Sequence, residues 1–261
     1  MGDPDFDLAA RQISEDKERP LTRSRQIQGL TFSRLPGTKT EVEAIASLMG
    51  RSTCDTYTGE ASRESVLMQR KSPRILHLAT HSFFLSDQDW SSLMDEKGRG
   101  ITIIGKDKPF PKKPVRIENS FLRSGLALAG ANRSLAQEGV PDGILTAEKI
   151  LGTGGLNLRG TDIVVLSACE TGLGDVKKGE GVYGLRKAFT QAGTKSLVMS
   201  LWEVLDLETK VLRVSFYKIL QSDKMNRAAA LRNAAPVSFS ITHRCRPGRR
   251  PCSGNIHTGI R

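Results

Sequence analysis

The run Asp162-Ile163-Val164-Val165-Leu166-Ser167-Ala168 is apolar and β-branched at positions of both parities, and it leads directly into Cys169. A strand with one wet face alternates between apolar and polar residues. A run without alternation belongs to a strand covered on both faces, as in parallel sheets with helices above and below. A second run, Arg74-Ile75-Leu76-His77-Leu78-Ala79, has the same character and ends at Thr80-His81. Helical patterns surround both runs. Thr40-Glu41-Val42-Glu43 has capping-box spacing ahead of Val42, Ile45, Ala46 and Met49, which predicts a helix of about ten residues stopped near Gly50. A strand around Cys54–Tyr57 and a helix from Ala61 to Arg70 are expected next. After Cys169, a loop punctuated by Gly172, Gly174, Gly179 and Gly181 leads to a helix with Val182, Leu185, Phe189 and Ala192 on one face, stopped by Gly193. The strand Ser196–Leu201 follows, then a helix with Asp206 as N-cap and an apolar stripe of Leu212, Phe216, Ile219 and Leu220. This order predicts an α/β fold with a mostly parallel sheet flanked by helices in a single domain. Residues 82–160 form a less regular insert, with an apolar run at Leu126–Gly130 and a short helical stretch near Thr146–Leu151.

A chain of 261 residues can bury one sizeable core. Residues 1–30 are polar and read as a lead-in, residues 31–235 as the domain, and residues 236–261, rich in Arg, Pro, Gly and Ser, as a disordered basic tail. No stretch approaches the ~18 apolar residues of a membrane span, and Met1-Gly2-Asp3-Pro4-Asp5 opens acidic where a secretory signal is basic. The expected compartment is the cytoplasm, with no membrane partner. The formal charge is +11, but eight of the cations follow Asp223 without a single acid, so the residues before them carry only +3. Nucleic-acid binding is therefore expected only as a weak, salt-dependent property of the tail. The four cysteines are too unevenly spaced for a disulfide framework, and Cys54 reads as a small core residue. His243, Cys245, Cys252 and His257 match no common zinc spacing, and neither a phosphate-binding loop nor a G-x-S-x-G elbow is present. No metal and no cofactor are expected.

In open α/β sheets, chemistry sits beyond the carboxyl ends of the strands. His81 at the end of one run and Cys169 at the end of the other are the candidates, whereas His77 in mid-strand reads as a packed residue. A cysteine attacks as its thiolate, and a histidine within reach takes its proton and later delivers it to a leaving amine. The backbone N–H groups of Cys169 and of Ser82, the residue after His81, are candidate oxyanion donors. Spacing alone leaves open the alternative that Cys169 is a structural residue at a strand end.

The ordered segments Leu76-His77-Leu78-Ala79-Thr80-His81, Val164-Val165-Leu166-Ser167-Ala168-Cys169-Glu170-Thr171-Gly172, Gly179-Glu180-Gly181, Ala192-Gly193 and Ser200-Leu201-Trp202 resemble the CHAT domain family. That family consists of caspase-like modules often joined to tetratricopeptide repeats and is similar to the caspase, separase and gingipain cysteine peptidases. The resemblance implies a cysteine endopeptidase with His81 as general base and Cys169 as nucleophile. It also implies a protein substrate and a place as the effector module of a larger sensor, with tetratricopeptide repeats or another sensor as partner. Glu170, Asp175, Glu180 and Trp202 are candidate lining of a substrate pocket, and Asp87 and Asp89 are candidates to orient the imidazole. Three departures stand against a simple carry-over. Ser82 replaces the glycine usual after the histidine, which would crowd the oxyanion site if its φ were positive. The pattern stops at Ala235, and Gly2-Asp3-Pro4-Asp5-Phe6 resembles the loop after the domain's first strand, as though the domain were clipped at both ends. The alternatives are a catalytically inactive interaction module or a truncated relic.

Overall fold

The computed structural model of the protein describes residues 1–8, 27, 30–85, 119–136, 143–170, 180–199, 206–222 and 227–239. At its centre lie β3 (Ile75–Phe84) and β6 (Ile163–Glu170), paired in parallel from Ile75↔Ile163 to Ser82↔Glu170. On the far side of β6 runs the parallel strand β7 (Leu197–Met199). On the other side of β3 come β1 (Gly2–Pro4) and then β2 (Thr58–Gly59), both parallel. Beyond β1, the last residues of β3 pair antiparallel with β4 (Ser124–Ala127), which pairs antiparallel with β5 (Ile144–Thr146). The seven strands thus form a mostly parallel sheet with an antiparallel corner.

Helices cover both faces, as the unalternating runs require. Leu76, Leu78, Val164, Leu166 and Ala168 pack against α4 (Ala147–Leu151) and α5 (Glu180–Gln191) through Ile150, Leu185, Ala188 and Phe189. Ile75, Ile163 and Val165, of the opposite parity, pack against α1 (Pro36–Met49), α6 (Asp206–Ser222) and α7 (Arg227–Phe239) through Ile45, Phe216, Tyr217, Ala230 and Ala234. A third cluster at the end of β3 joins Phe6, Ile27, Leu30, Phe32 and Phe83 to Ala131 and Leu135 of α3 (Ala131–Ala136).

Several boundaries differ from expectation. Helix α1 starts four residues before Thr40, because Pro36 suits the first helical position, where its missing N–H costs nothing. The Thr40 hydroxyl donates instead to the Gly37 carbonyl at 2.8 Å. Cys54–Tyr57 is not a strand; pairing begins only at Thr58, where β1 supplies a neighbour. Helix α2 (Glu64–Met68) is half the expected length. Gly2–Pro4, read as part of a lead-in and as a loop after a strand, is itself a strand, and Phe6 behind it is fully buried. Residues 236–239, assigned to the tail, continue α7, and the rest of the tail lies outside the described residues. Thr146 caps α4 by accepting from the Lys149 N–H, and Gly193 ends α5 with φ at 111°, where a Cβ would meet the Arg159 N at 2.9 Å.

Leu78 is wholly buried at the centre of this packing. Leu78→Ala should lower the unfolding free energy by about 3 kcal/mol, read from the shift in a urea midpoint. A loss under about 1 kcal/mol would place Leu78 outside the tightly packed core.

Candidate active site

The parallel register sets His81 directly opposite Cys169. The two candidate residues, 88 positions apart in sequence, thus occupy neighbouring places on adjacent strands, as their parity relative to the apolar runs demands. They are not beyond the strand ends. Strand β3 continues through His81 to Phe84, because β4 pairs with its last three residues on the edge that β1 has left. Cys169 is the penultimate residue of β6. Ser82 lies inside the same register, opposite Glu170 on one side and Leu126 on the other, and is buried. Asp3 and Ser72 are the non-glycine residues with positive φ among the described residues, so the serine in place of glycine carries no left-handed strain.

His81 is 8% exposed and packs against Phe6 and Phe32, with ring centroids at 5.4 and 5.6 Å. Its Nε2 lies 2.8 Å from the carbonyl oxygen of Ser33. A carbonyl only accepts, so Nε2 carries a proton, and in the neutral ring Nδ1 is the basic nitrogen. The segment holding that carbonyl is fixed on both sides. Asn132 accepts from the Phe32 N–H at 2.8 Å and donates to the Phe32 carbonyl at 3.0 Å, while Arg34 makes a fork with Asp3 at 2.9 and 2.7 Å. Sequence reasoning missed this anchor, and a backbone carbonyl leaves no signal there to find.

One turn of the ladder away lies a buried polar network that sequence reasoning also missed. The His77 side chain is 9% exposed, with Nε2 3.1 Å from Glu41 Oε1 and Nδ1 3.1 Å from the Tyr217 hydroxyl. The Ser167 hydroxyl donates to Glu41 Oε2 at 3.1 Å, and the buried Arg213 donates to the Leu166 carbonyl at 3.3 Å. Burial pushes the Tyr217 hydroxyl well above its usual range, so it stays protonated and donates to Nδ1. Burial likewise lowers His77 below the ordinary imidazole value, against the raising effect of Glu41. Burial works to raise Glu41, but the hydrogen bonds from His77 and Ser167 and the charges of His77 and Arg213 outweigh it and hold the carboxyl below its usual range. His77 is therefore a packed residue with both ring nitrogens engaged. The sequence did hold a clue to Glu41, which shares the buried stripe Thr38, Glu41, Val42, Ile45 and Ala46 of α1.

Of the expected pocket residues, Glu170 ends β6 and Glu180 begins α5. Asp175 and Trp202 lie outside the described residues, as do Asp87 and Asp89 and the tail set His243, Cys245, Cys252 and His257. Cys54 is half-buried among the residues that line a cavity rather than in the core. Among the described residues no cluster of His, Cys, Asp and Glu could hold a metal ion, and no helix is long and apolar enough to cross a membrane.

In a comparison against protein families, the CHAT domain model matches residues 1–241. The chain belongs to the CHAT domain family. CHAT domains are a caspase-like, peptidase-related family, and the match covers the whole sheet described above. No curated protein matched the chain in a parallel search.

Two outcomes follow for this CHAT domain's buried network. Glu41→Ala leaves His77, Ser167 and Arg213 without their shared anion and should cost about 3 kcal/mol in urea unfolding at neutral pH; a loss under about 1 kcal/mol would make the network dispensable. Because the folded His77 titrates below the unfolded imidazole, the unfolded state takes up that proton first on acidification. Burial also lowers the Met1 amine from 8.0 to about 5, so stability should fall as pH drops below about 8, with His77 adding to the loss from about pH 6.5 toward its folded value and Glu41 adding below the ordinary carboxylate range. A stability curve that rises on acidification through that window would contradict the assignment.

Proposed function

We propose that this CHAT domain is a cysteine endopeptidase, with Cys169 as nucleophile and His81 as its base, acting as the effector module of a larger sensor protein. The observation that carries the reading is the register pair His81↔Cys169, together with the Ser33 carbonyl that fixes the imidazole tautomer. With Nε2–H given to the Ser33 carbonyl, Nδ1 is the proposed acceptor of the thiol proton. The thiolate sulfur attacks the scissile carbonyl carbon; the C–N bond breaks, and the proton on Nδ1 goes to the leaving amine. Water then gives a proton to Nδ1 as its oxygen attacks the thioester, and the C–S bond breaks to release the acid and restore the thiolate. The N–H groups of Ser82 and Cys169 are the proposed oxyanion donors. Both stand inside the β3–β6 register, so that role requires the ladder to give way at its end as substrate binds. Glu170, Asp175, Glu180 and Trp202 are proposed to line the pocket for the residue before the cut.

The burial of His81 between Phe6 and Phe32 favours a second reading, a catalytically silent interaction module. Thiol labelling separates the two. An assembled dyad makes Cys169 react with a limiting alkylating reagent at neutral pH about tenfold or more faster than Cys54, and His81→Ala removes that advantage. Equal rates at the two cysteines in the folded protein would leave the module reading standing.

A further inference from the structure

His81 sits in a triangle of rings. Phe6 and Phe32 stand 5.4 and 5.6 Å from the imidazole centroid and 5.8 Å from each other, and both phenylalanines are buried. Apolar burial of this kind excludes water but is non-directional, so it does not fix how the imidazole is turned. The bond from Nε2–H to the Ser33 carbonyl at 2.8 Å does that. The orientation of the ring is therefore only as firm as the backbone at Phe32 and Ser33, and that backbone belongs to no helix or strand.

One residue of α3 reaches both ring walls and the anchor. Asn132 Oδ1 accepts from the Phe32 N–H at 2.8 Å while its Nδ2 donates to the Phe32 carbonyl at 3.0 Å, so the side-chain amide pairs with that backbone as a neighbouring strand would. Nδ2 also donates to Asp7 Oδ1 at 2.8 Å, and the Asn132 main-chain N–H donates to the Phe6 carbonyl at 3.0 Å. Two residues earlier, the Gly130 N–H meets the Asp5 carbonyl at 2.9 Å. The start of α3 thus holds the backbone of both phenylalanines to one rigid element. On the other side of Ser33, the Arg34 fork to Asp3 ends on a guanidinium half open to water.

We propose that Asn132 is a positioning residue for the base: by holding Phe6, Phe32 and through them the Ser33 carbonyl, it keeps Nε2–H of His81 engaged and Nδ1 basic. The role rests on the reading of His81 as the base of Cys169, and it needs no contact between Asn132 and the reacting atoms. Without the amide, residues 32 and 33 are free to shift, and a base misplaced by about 1 Å can slow a reaction on the order of a hundredfold. Asn132→Asp is the discriminating change. It keeps an acceptor for the Phe32 N–H but turns a carboxylate oxygen toward the Phe32 carbonyl and Asp7, where both repel it.

The test uses the intact chain and two readouts, the imidazole N–H signals in nitrogen-15 NMR and the rate of Cys169 alkylation. The bonded and shielded Nε2–H of His81 should give a resolved resonance, assigned by its loss in His81→Gln. Asn132 is half-buried, so Asn132→Ala and Asn132→Asp should both fold. Each should lose that resonance to exchange with water and slow Cys169 alkylation about tenfold, with Cys54 unchanged. Ile150→Ala, in the core cluster on α4, should cost at least as much stability in urea and move neither readout. Asn132 variants that keep both the resonance and the rate would overturn the proposal. So would a wild-type chain without the resonance, or an Ile150→Ala variant that loses as much as they do. Wild-type Cys169 that labels no faster than Cys54 would instead overturn the peptidase reading, while loss of the resonance in the Asn132 variants would still establish their hold on the imidazole.

Discussion

The parallel ladder between β3 and β6 is the constraint on which the rest of the molecule depends. Eight register pairs hold two strands that are covered on both faces, so a helical layer is needed on each side, and the clusters around Phe189 and around Phe216 are those layers. The ladder also fixes which polar residues are taken out of water together. His77 and Ser167 share one face, and neither can be buried there without a partner. Glu41 meets both and thereby ties α1 to the two strands at once. The same parity, continued toward the carboxyl end, brings His81 and Cys169 side by side.

The charge buried under this face is held by the number of its partners more than by any one contact. The carboxylate of Glu41 has two hydrogen-bonded neighbours and the field of Arg213, and the phenol of Tyr217 satisfies the nitrogen that the carboxylate does not. Such an arrangement adds little net stability over a well-packed apolar one, but it tolerates the loss of no single member. It also sets α1 in one rotational position, because an acid on the buried stripe fits only where the donors are.

Much of this was legible in the sequence. The unalternating runs announced a doubly covered parallel sheet, and the two motifs ending in His81 and Cys169 placed the family. The sequence did not show that β3 runs on to Phe84, because its last residues pair with β4, whose partner choice depends on where β1 turns away. Nor did it show a strand in Gly2–Pro4, whose glycine and proline argue against one in isolation; tertiary pairing on both sides overrides that preference. Cys54–Tyr57 failed in the opposite sense, since among the described residues no strand pairs with it and strand character alone yields no ladder. The Ser33 carbonyl was invisible because backbone groups are common to every residue. Glu41 was written into the buried stripe of α1 but was read as part of a capping box.

Because the imidazole of His81 is anchored by a main-chain carbonyl, the identity of the side chain at Ser33 is nearly irrelevant to that anchor. The evolutionary and mutational burden moves elsewhere, to whatever holds the backbone in place. Asn132 grips Phe32 through both ends of its amide, accepting from the N–H and donating to the carbonyl. No other residue type reproduces that pair of bonds at the same length of side chain. Drift at position 33 can therefore be silent while drift at position 132 is not, although Asn132 lies 51 residues from the histidine it serves and does not touch it in the bonds described.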